Sequence, residues 1–424
     1  VTQEQLLSKC AWRLVPLITL LYFVNIMDRV NVSFASLTMN HDLGFSPAVY
    51  GFGSGVFFLG YALFQVPANA ILERVGARRW IFLILLLWGL FSASNAFVTG
   101  PTSFYAVRVC LGLVEAGFYP GMILYLTYWF TRPYRGRLVA IFMAALPAAN
   151  IVGGPLSSLI LGMNGDLGLA GWQWLFLIEG APAVLLAFAV LAFLPDGPSK
   201  APWLSRDEKA IITRALSAED NSQHRDFWAA LLDVKVLGLA IVYFGYSMGL
   251  YGVGLWLPQI VKSMGVSNLA NGFVVALPYI AATVAMIWWG RHSDRTGERI
   301  WHVAWPAMLM VASLLVASVA HANLVIFLAL ALVQVGALSL QGPFWVLPST
   351  FLGGAAAASG IALINSIGTG GGGFVGPYVL GLMREMTGGF AAGMAALAVG
   401  PMLTVTIVLL LGRAGSRLAA AKTG

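Results

Sequence analysis

The sequence predicts an all-α polytopic membrane protein: twelve transmembrane helices arranged as two pseudo-symmetric six-helix bundles. Composition, the lengths of the apolar runs and one recurring loop pattern predict it. Of the 424 residues, 59% are hydrophobic and only 10% charged, and the mean hydropathy is +0.83. A soluble domain carries about 25% charged residues. Apolar segments bounded by Gly, Pro, Asn or charge clusters fall at 14–39, 50–72, 80–98, 102–130, 137–162, 173–194, 235–261, 270–290, 302–320, 323–347, 356–383 and 390–412. At about 1.5 Å of rise per residue, runs of this order cross a bilayer.

The first run is too long for a signal-peptide core and lacks a small-residue cleavage site, so it reads as the first span. Residues 1–194 form the expected N-terminal bundle and 234–424 the C-terminal one. Between them, 195–233 is the one long polar segment, read as a cytoplasmic linker. Within it "SRDEKAIITRAL" predicts a short surface helix beginning after Ser205, whose hydroxyl can cap the free amides. Loop charges set the orientation. Arg74, Arg78 and Arg79 follow the second run, Arg132, Arg135 and Arg137 the fourth, and Arg291, Arg295 and Arg299 the eighth. The linker adds Lys200, Arg206, Lys209, Arg214 and Arg225, whereas the opposite loops hold only Lys262 and Arg384. Both termini are therefore expected in the cytoplasm.

This topology also accounts for the net charge of +7, so no nucleic-acid partner is inferred. Cys10 and Cys110 do not make a disulfide framework, and the five His show no ligand spacing, so no metal site is expected.

The recurring pattern is "LERVGARRW" (Leu72–Trp80) after the second run and "SDRTGERIW" (Ser293–Trp301) after the eighth. Each contains acid–Arg–x–Gly–x–Arg in the same loop of its half. Basic charge alone would set topology, but the shared acid points to gating by Glu73, Arg74, Asp294 and Arg295. Parallel halves joined by a cytoplasmic linker resemble the major facilitator architecture of secondary transporters, and the loops resemble its cytoplasmic signature. The second copy keeps the leading glycine as Gly290 and the acid as Asp294. The first has Asn69 and Glu73 instead, which puts close helix approach there in question.

Away from the ends of the apolar runs, the acidic and basic residues within them are Asp28, Arg29, Arg108, Glu115 and Glu179, all in the N-terminal half. Each costs a few kcal/mol to insert, roughly 10 kcal/mol together, which favours a site over helix staples that small residues could supply. Arg108 and Glu115 are seven apart, on one helix face. Asp28 and Arg29 are adjacent and diverge by about 100°. One can face a central cavity while the other turns to a flanking helix. Arg gives permanently charged, bidentate recognition of a carboxylate. An acid in a low-dielectric cavity can load and release a proton.

These residues lie in motifs that resemble the anion:cation symporter family of the major facilitator superfamily, which includes bacterial sugar-acid, tartrate-like and aromatic-acid permeases and animal organic-anion transporters. The motifs are "YFVNIMDRVNVSFA", "YALFQVPANAILERVGARRW", "RVCLGLVEAGFYPG", "GWQWLFLIEGAPA", "YGVGLWLPQIVKSMG" and "GPFWVLPSTFL…GIALINSIGTGGGGFVGPYVLG". The resemblance implies that Arg29 and Arg108 bind the substrate carboxylate and that Asp28 and Glu115 couple protons. It also implies that Tyr61 offers a hydroxyl and that Trp345 and Asn365 form the opposite wall. Where the family carries a second Asn, this chain reads Gly368–Gly373, so that contact is missing or taken by Thr369. The Gly-rich run lacks the Gly-Lys-Ser/Thr ending of a phosphate loop and is read as a bendable helix, with "VGGPLSS" as its counterpart. Glu179, about a turn and a half into the sixth helix, is read as structural, reaching the interface or capping a neighbour.

The resulting expectation is a proton-coupled symporter in a bacterial inner membrane. It would be a monomer without a cofactor beyond the proton, importing a small organic anion, a sugar acid or tartrate-like hydroxy acid, by alternating access. A sodium-coupled or exchange transporter of an aromatic or dicarboxylic acid is the alternative, and a multidrug exporter a weaker one. An enzyme is not expected, because no metal cluster or Ser–His pair appears.

Overall fold

A computed structural model describes residues 2–217, 233–351 and 354–423, and its regular structure is entirely helical. α1 (Gln3–Asp42) opens on a capping box in which Thr2 Oγ1 accepts from the Gln5 amide and the Gln5 side chain accepts from the Thr2 amide. α2 (Pro47–Val75) starts after Ser46, with Pro at its first position. α3 (Ala77–Ser94) completes the first trio. The fourth and fifth predicted runs are each two helices in line. α4 (Pro101–Glu115) and α5 (Phe118–Thr127) break at Ala116–Gly117, and α6 (Arg132–Met143) and α7 (Ala145–Leu161) break at Ala144. α8 (Gly171–Phe193) is the sixth run.

In the linker, α9 (Arg206–Ser217) begins where predicted. Ser205 Oγ accepts from the Glu208 amide, and Glu208 Oε2 accepts from the Ser205 amide. Arg225 lies outside the described residues. The second half contains α10 (Val234–Ser263), α11 (Asn268–Thr296), α12 (Ile300–Val319) and α13 (Asn323–Phe351). It continues with α14 (Gly354–Asn365), a π-helical stretch at Ser366–Gly372, α15 (Gly373–Thr387), α16 (Ala391–Leu397) and α17 (Val399–Thr423). Among the described residues, eleven helical segments are long and apolar enough to span a membrane. The remaining predicted run, 356–383, is the one divided among α14, the π stretch and α15.

α9 is tied to the start of α1 by Lys9 Nζ–Glu208 Oε1 at 2.7 Å. The face carrying that contact and the chain ends is called the terminal face below, and its opposite the far face. The recurring loops lie on the terminal face, and their shared glycine has a backbone cause. Gly76 and Gly297 adopt φ of 92° and 69°, a region costly for any residue with a Cβ, so each ends one helix and turns the chain into the next. In the first loop the Arg78 amide donates to Asp196 Oδ1 (2.9 Å) and Lys200 Nζ to Asp196 Oδ2 (3.0 Å). Partial burial alone would raise the Asp196 carboxyl. The Arg78 amide and the Lys200 ammonium outweigh it and hold the group below its usual range.

Among the described side chains, Arg74, Asp294 and Arg295 make no ion pair with one another. The Glu73 side chain lies outside the described residues, and Arg74 and Arg295 are exposed. Asp294 pairs within its own loop, with Arg299 Nη1 at 2.9 Å. A Cβ on Gly290 would find open space, so no close helix approach depends on that glycine in this conformation.

The two halves cross near the far face. α2 packs on α15, α7 on α11 and α1 on α10. Small residues permit the approach: a Cβ on Gly51 would stand 2.6 Å from Pro377 O, and one on Gly154 2.7 Å from Gly272 O. Polar groups join it. Glu385 Oε2 accepts from Ser46 Oγ (2.6 Å) and the Ala48 amide (2.8 Å). Tyr50 donates to Leu255 O at 2.7 Å, and the Gly272 amide donates to Ser158 Oγ at 2.9 Å.

Candidate functional site

Asp28 and Arg29 diverge, as adjacency requires on a helix. Asp28 turns to α3, where Oδ1 accepts from Ser92 Oγ and from Asn31 Nδ2 (2.8 Å), and Oδ2 accepts from Trp88 Nε1. Arg29 turns to α4: its Nε donates to Glu115 Oε1 at 2.8 Å, and its Nη2 contacts the same oxygen. Glu115 Oε2 is buried and finds no partner among the described residues. The Arg29 guanidinium carbon stands 5.1 Å from the Tyr61 ring centroid, close enough for cation–π attraction.

Below the far-face crossing, a cavity separates the halves. Six tyrosines line it: Tyr22, Tyr61 and Tyr119 from the first half, and Tyr243, Tyr251 and Tyr279 from the second. Asn150, Gln341, Asn365 and Thr369 add polar atoms, and Trp345 adds an indole held edge-on to Tyr243 at 5.0 Å. Thr369 Oγ1 donates to Asn365 Oδ1 (3.1 Å) and lies 3.2 Å from the Tyr243 hydroxyl. Thr369 thus stands beside Asn365 where a second Asn was looked for. Among the described lining residues, Arg29 alone is charged.

Of the residues expected to bind substrate, the structure brings Arg29, Tyr61, Trp345 and Asn365 to this cavity. Arg108 does not line it. Its side chain is 1% exposed and sits over the Phe57 ring at 4.8 Å, with Nε and Nη1 lacking hydrogen-bond partners among the described residues. Arg29 lies 5.5 Å from the same ring, so both guanidiniums stand against Phe57. The reason is position along the axis: α2 packs on α4 and its Phe57 covers Arg108, while Glu115, two turns on along the same face, reaches Arg29 of α1.

Asn150 and Gln341 escaped the sequence reading. The signal that found Asn365, a polar side chain within an apolar run, applies equally to both. The tyrosines carry no such mark, because Tyr is common at membrane interfaces. The Gly-rich run serves close packing as well as bending. A Cβ on Gly368 would run into the Tyr243 ring, and one on Gly373 would stand 2.5 Å from Phe58 Cγ. π-helical turns of this kind recur at functional sites.

Glu179 neither reaches an interface nor caps a helix. It is 4% exposed, with Oε1 accepting from Ser157 Oγ at 2.7 Å and Oε2 unpartnered among the described residues.

A helical membrane bundle, closed at one face by small-residue crossings above a polar, singly charged cavity, defines a membrane transporter rather than an enzyme. The chain belongs to the major facilitator superfamily, whose family model matches residues 18–377. It is 49% identical over 414 residues to a protein of Agrobacterium vitis named "Putative tartrate transporter", covering 97% of this chain and 95% of that one. It is 40% identical over 402 residues to the "Quinolone resistance transporter" of Acinetobacter baumannii, covering 94% and 92%. Among solved structures, a bacterial homolog of the human lysosomal transporter Spinster, inward-facing and occupied, superposes with a TM-score of 0.77 at 16% identity. That match covers 94% of this chain and 96% of the other and supports the fold alone.

Proposed function

We propose that the protein is a proton-coupled symporter of a small carboxylate, a sugar acid or tartrate-like hydroxy acid, working by alternating access in a bacterial inner membrane with both termini in the cytoplasm. One observation carries the reading: Arg29, the one charged residue among the described cavity lining, is neutralised by a single oxygen of Glu115. An incoming carboxylate competes for that guanidinium. Glu115 is 1% exposed, and if displaced it would be a buried, unpaired charge, which costs several kcal/mol. Taking up a proton removes the cost. Anion and proton binding are then positively coupled, and the coupling is reciprocal.

Arg108 supports the same cycle. A buried guanidinium with two unpartnered nitrogens is a group awaiting an acceptor, and in this proposal the substrate carboxylate reaches it in the state open at the far face. The neutral polar wall of Asn150, Gln341, Asn365 and Thr369 suits a hydroxylated body. The name of the tartrate-like relative points the same way.

The six tyrosines and Trp345 favour a second reading, an aromatic carboxylate on the same cation. A thermal-shift screen of hydroxylated and aromatic carboxylic acids on purified protein separates the two. Uptake of the best ligand into proteoliposomes, with and without an imposed pH gradient, tests coupling. Uptake indifferent to the pH gradient refutes symport.

A further inference from the structure

We propose that Glu179 is a further proton-carrying carboxyl, coupled to Asp28 where α8 packs on α1 and α3, and that in this conformation Glu179 holds the proton while Asp28 holds the charge. The inference rests on the transporter reading above only for its place in a cycle. The protonation assignment stands on geometry.

The two acids are solvated unequally. Asp28 accepts from three donors, Ser92 Oγ, Asn31 Nδ2 and Trp88 Nε1, an arrangement that stabilises a carboxylate even when buried. Glu179 accepts only from Ser157 Oγ, and its second oxygen is buried without a partner. An ionised carboxylate there would lack the donors that burial demands. Asn31, one turn beyond Asp28 on α1, donates to Asp28, and Ser92, another of its donors, lies beside Gly180, the neighbour of Glu179: a Cβ on Gly180 would stand 3.4 Å from Ser92 Cβ.

Among the described residues no cation pairs with Glu179. Asp28 is the charged group that acts on it from α1. Of the other helices packed against α8, α7 presents Ser157, which donates to Glu179, and α3 presents Ser92 beside Gly180, neither of which ionises in the working range. Glu179, buried with a single donor, cannot ionise cheaply beside a second carboxylate, whereas Asp28 has three donors and the Arg108 cation acting on it, so the pair carries one proton and one negative charge. Exchange within the pair breaks the O–H bond on Glu179, leaves its electron pair on that carboxylate and forms an O–H bond on Asp28, so the total charge stays −1. Glu179 also lies beside the α7–α11 crossing, since Ser157 precedes Ser158, which accepts the Gly272 amide. Its proton therefore sits where the far face opens and closes.

The test needs no substrate, so its outcome is independent of whether the symport reading holds. Purified protein in liposomes is titrated from pH 5 to 9 by infrared difference spectroscopy of the protonated carboxyl stretch. At neutral pH the wild type is expected to show a band that Glu179→Gln loses and that Glu179→Asp restores at a shifted frequency. Asp28→Asn, by removing the neighbouring charge, is expected to raise Glu179 acidity, moving its midpoint down by at least one pH unit, about tenfold in proton affinity. Should Asp28→Asn fail to fold, Ser92→Ala serves. Loss of that donor draws the proton toward Asp28 and weakens the Glu179 band. A Glu179→Gln spectrum that retains the full wild-type band overturns the assignment. A midpoint that neither Asp28→Asn nor Ser92→Ala moves overturns the coupling.

Discussion

Arg29 meets Glu115 through one carboxylate oxygen, leaving the other buried and unpartnered. In the proposed cycle the pair acts as a switch, and the asymmetry fits that role, because a helix staple would use both oxygens of the acid in the bidentate geometry that Arg favours. If the pair couples anion to proton, Glu115→Gln should keep substrate counterflow, since the neutral amide mimics the protonated acid. Accumulation driven by a pH gradient should fall at least tenfold. Paired counterflow and gradient-driven uptake assays check both halves of this expectation.

Arg108→Ala should weaken substrate binding by about 10–100-fold, the range for a lost charge-assisted hydrogen bond of about 1.5–3 kcal/mol. Direct binding measurements read it. Normal binding and transport by that variant would remove Arg108 from the anion path.

Thr369→Val removes the hydroxyl shared with Asn365 and Tyr243 while keeping the side-chain volume. An affinity loss of about 3- to 10-fold is expected, corresponding to about 0.5–1.5 kcal/mol. A hydroxylated acid should feel it more than an aromatic one, so the ratio of the two affinities separates the readings of the substrate.

Gly154→Val should hold the far face open, since a Cβ there would stand 2.7 Å from Gly272 O. Distances between spin labels on the far-face ends of α7 and α11 should lengthen, and transport should fall by at least tenfold. Unchanged distances would show that the crossing tolerates the added volume.

Asp196→Asn tests the loop contact. The Asp196 carboxyl is held below its usual range once the Arg78 amide and Lys200 outweigh partial burial. A depressed folded-state value means its stabilisation is full above the unfolded value, about 4. It is lost as pH falls through the lower folded value. The melting-temperature gap between wild type and variant should be constant above about pH 5 and shrink below about pH 4.

Much of this architecture was legible in the residues because bilayer crossing imposes long apolar runs, and because Gly76 and Gly297 mark the two equivalent loops. The divergence of Asp28 from Arg29 followed from helix geometry alone. Depth behind a helix did not. Arg108 and Glu115 share a face by spacing, yet Arg108 faces α2 across Phe57, a consequence of how α2 and α4 pack that no local pattern encodes. The burial of Glu179 was not legible for the same reason: its distance from the helix start suggested that it could reach an interface, while the packing of α8 against its neighbours leaves it 4% exposed. Asn150 and Gln341 were readable by the rule that found Asn365. The breaks at Ala116–Gly117 and Ala144 were not, since both sides of each are apolar.

The central claim, that a carboxylate displaces Glu115 from Arg29 and so loads a proton, is tested most directly by binding-linked proton uptake. Calorimetric titration of the purified protein with the best-binding acid is repeated in buffers of different ionisation enthalpy at pH 7. The account expects close to one proton taken up per anion bound in the wild type, and none in Glu115→Gln with binding retained. Anion binding to the wild type without proton uptake would contradict it.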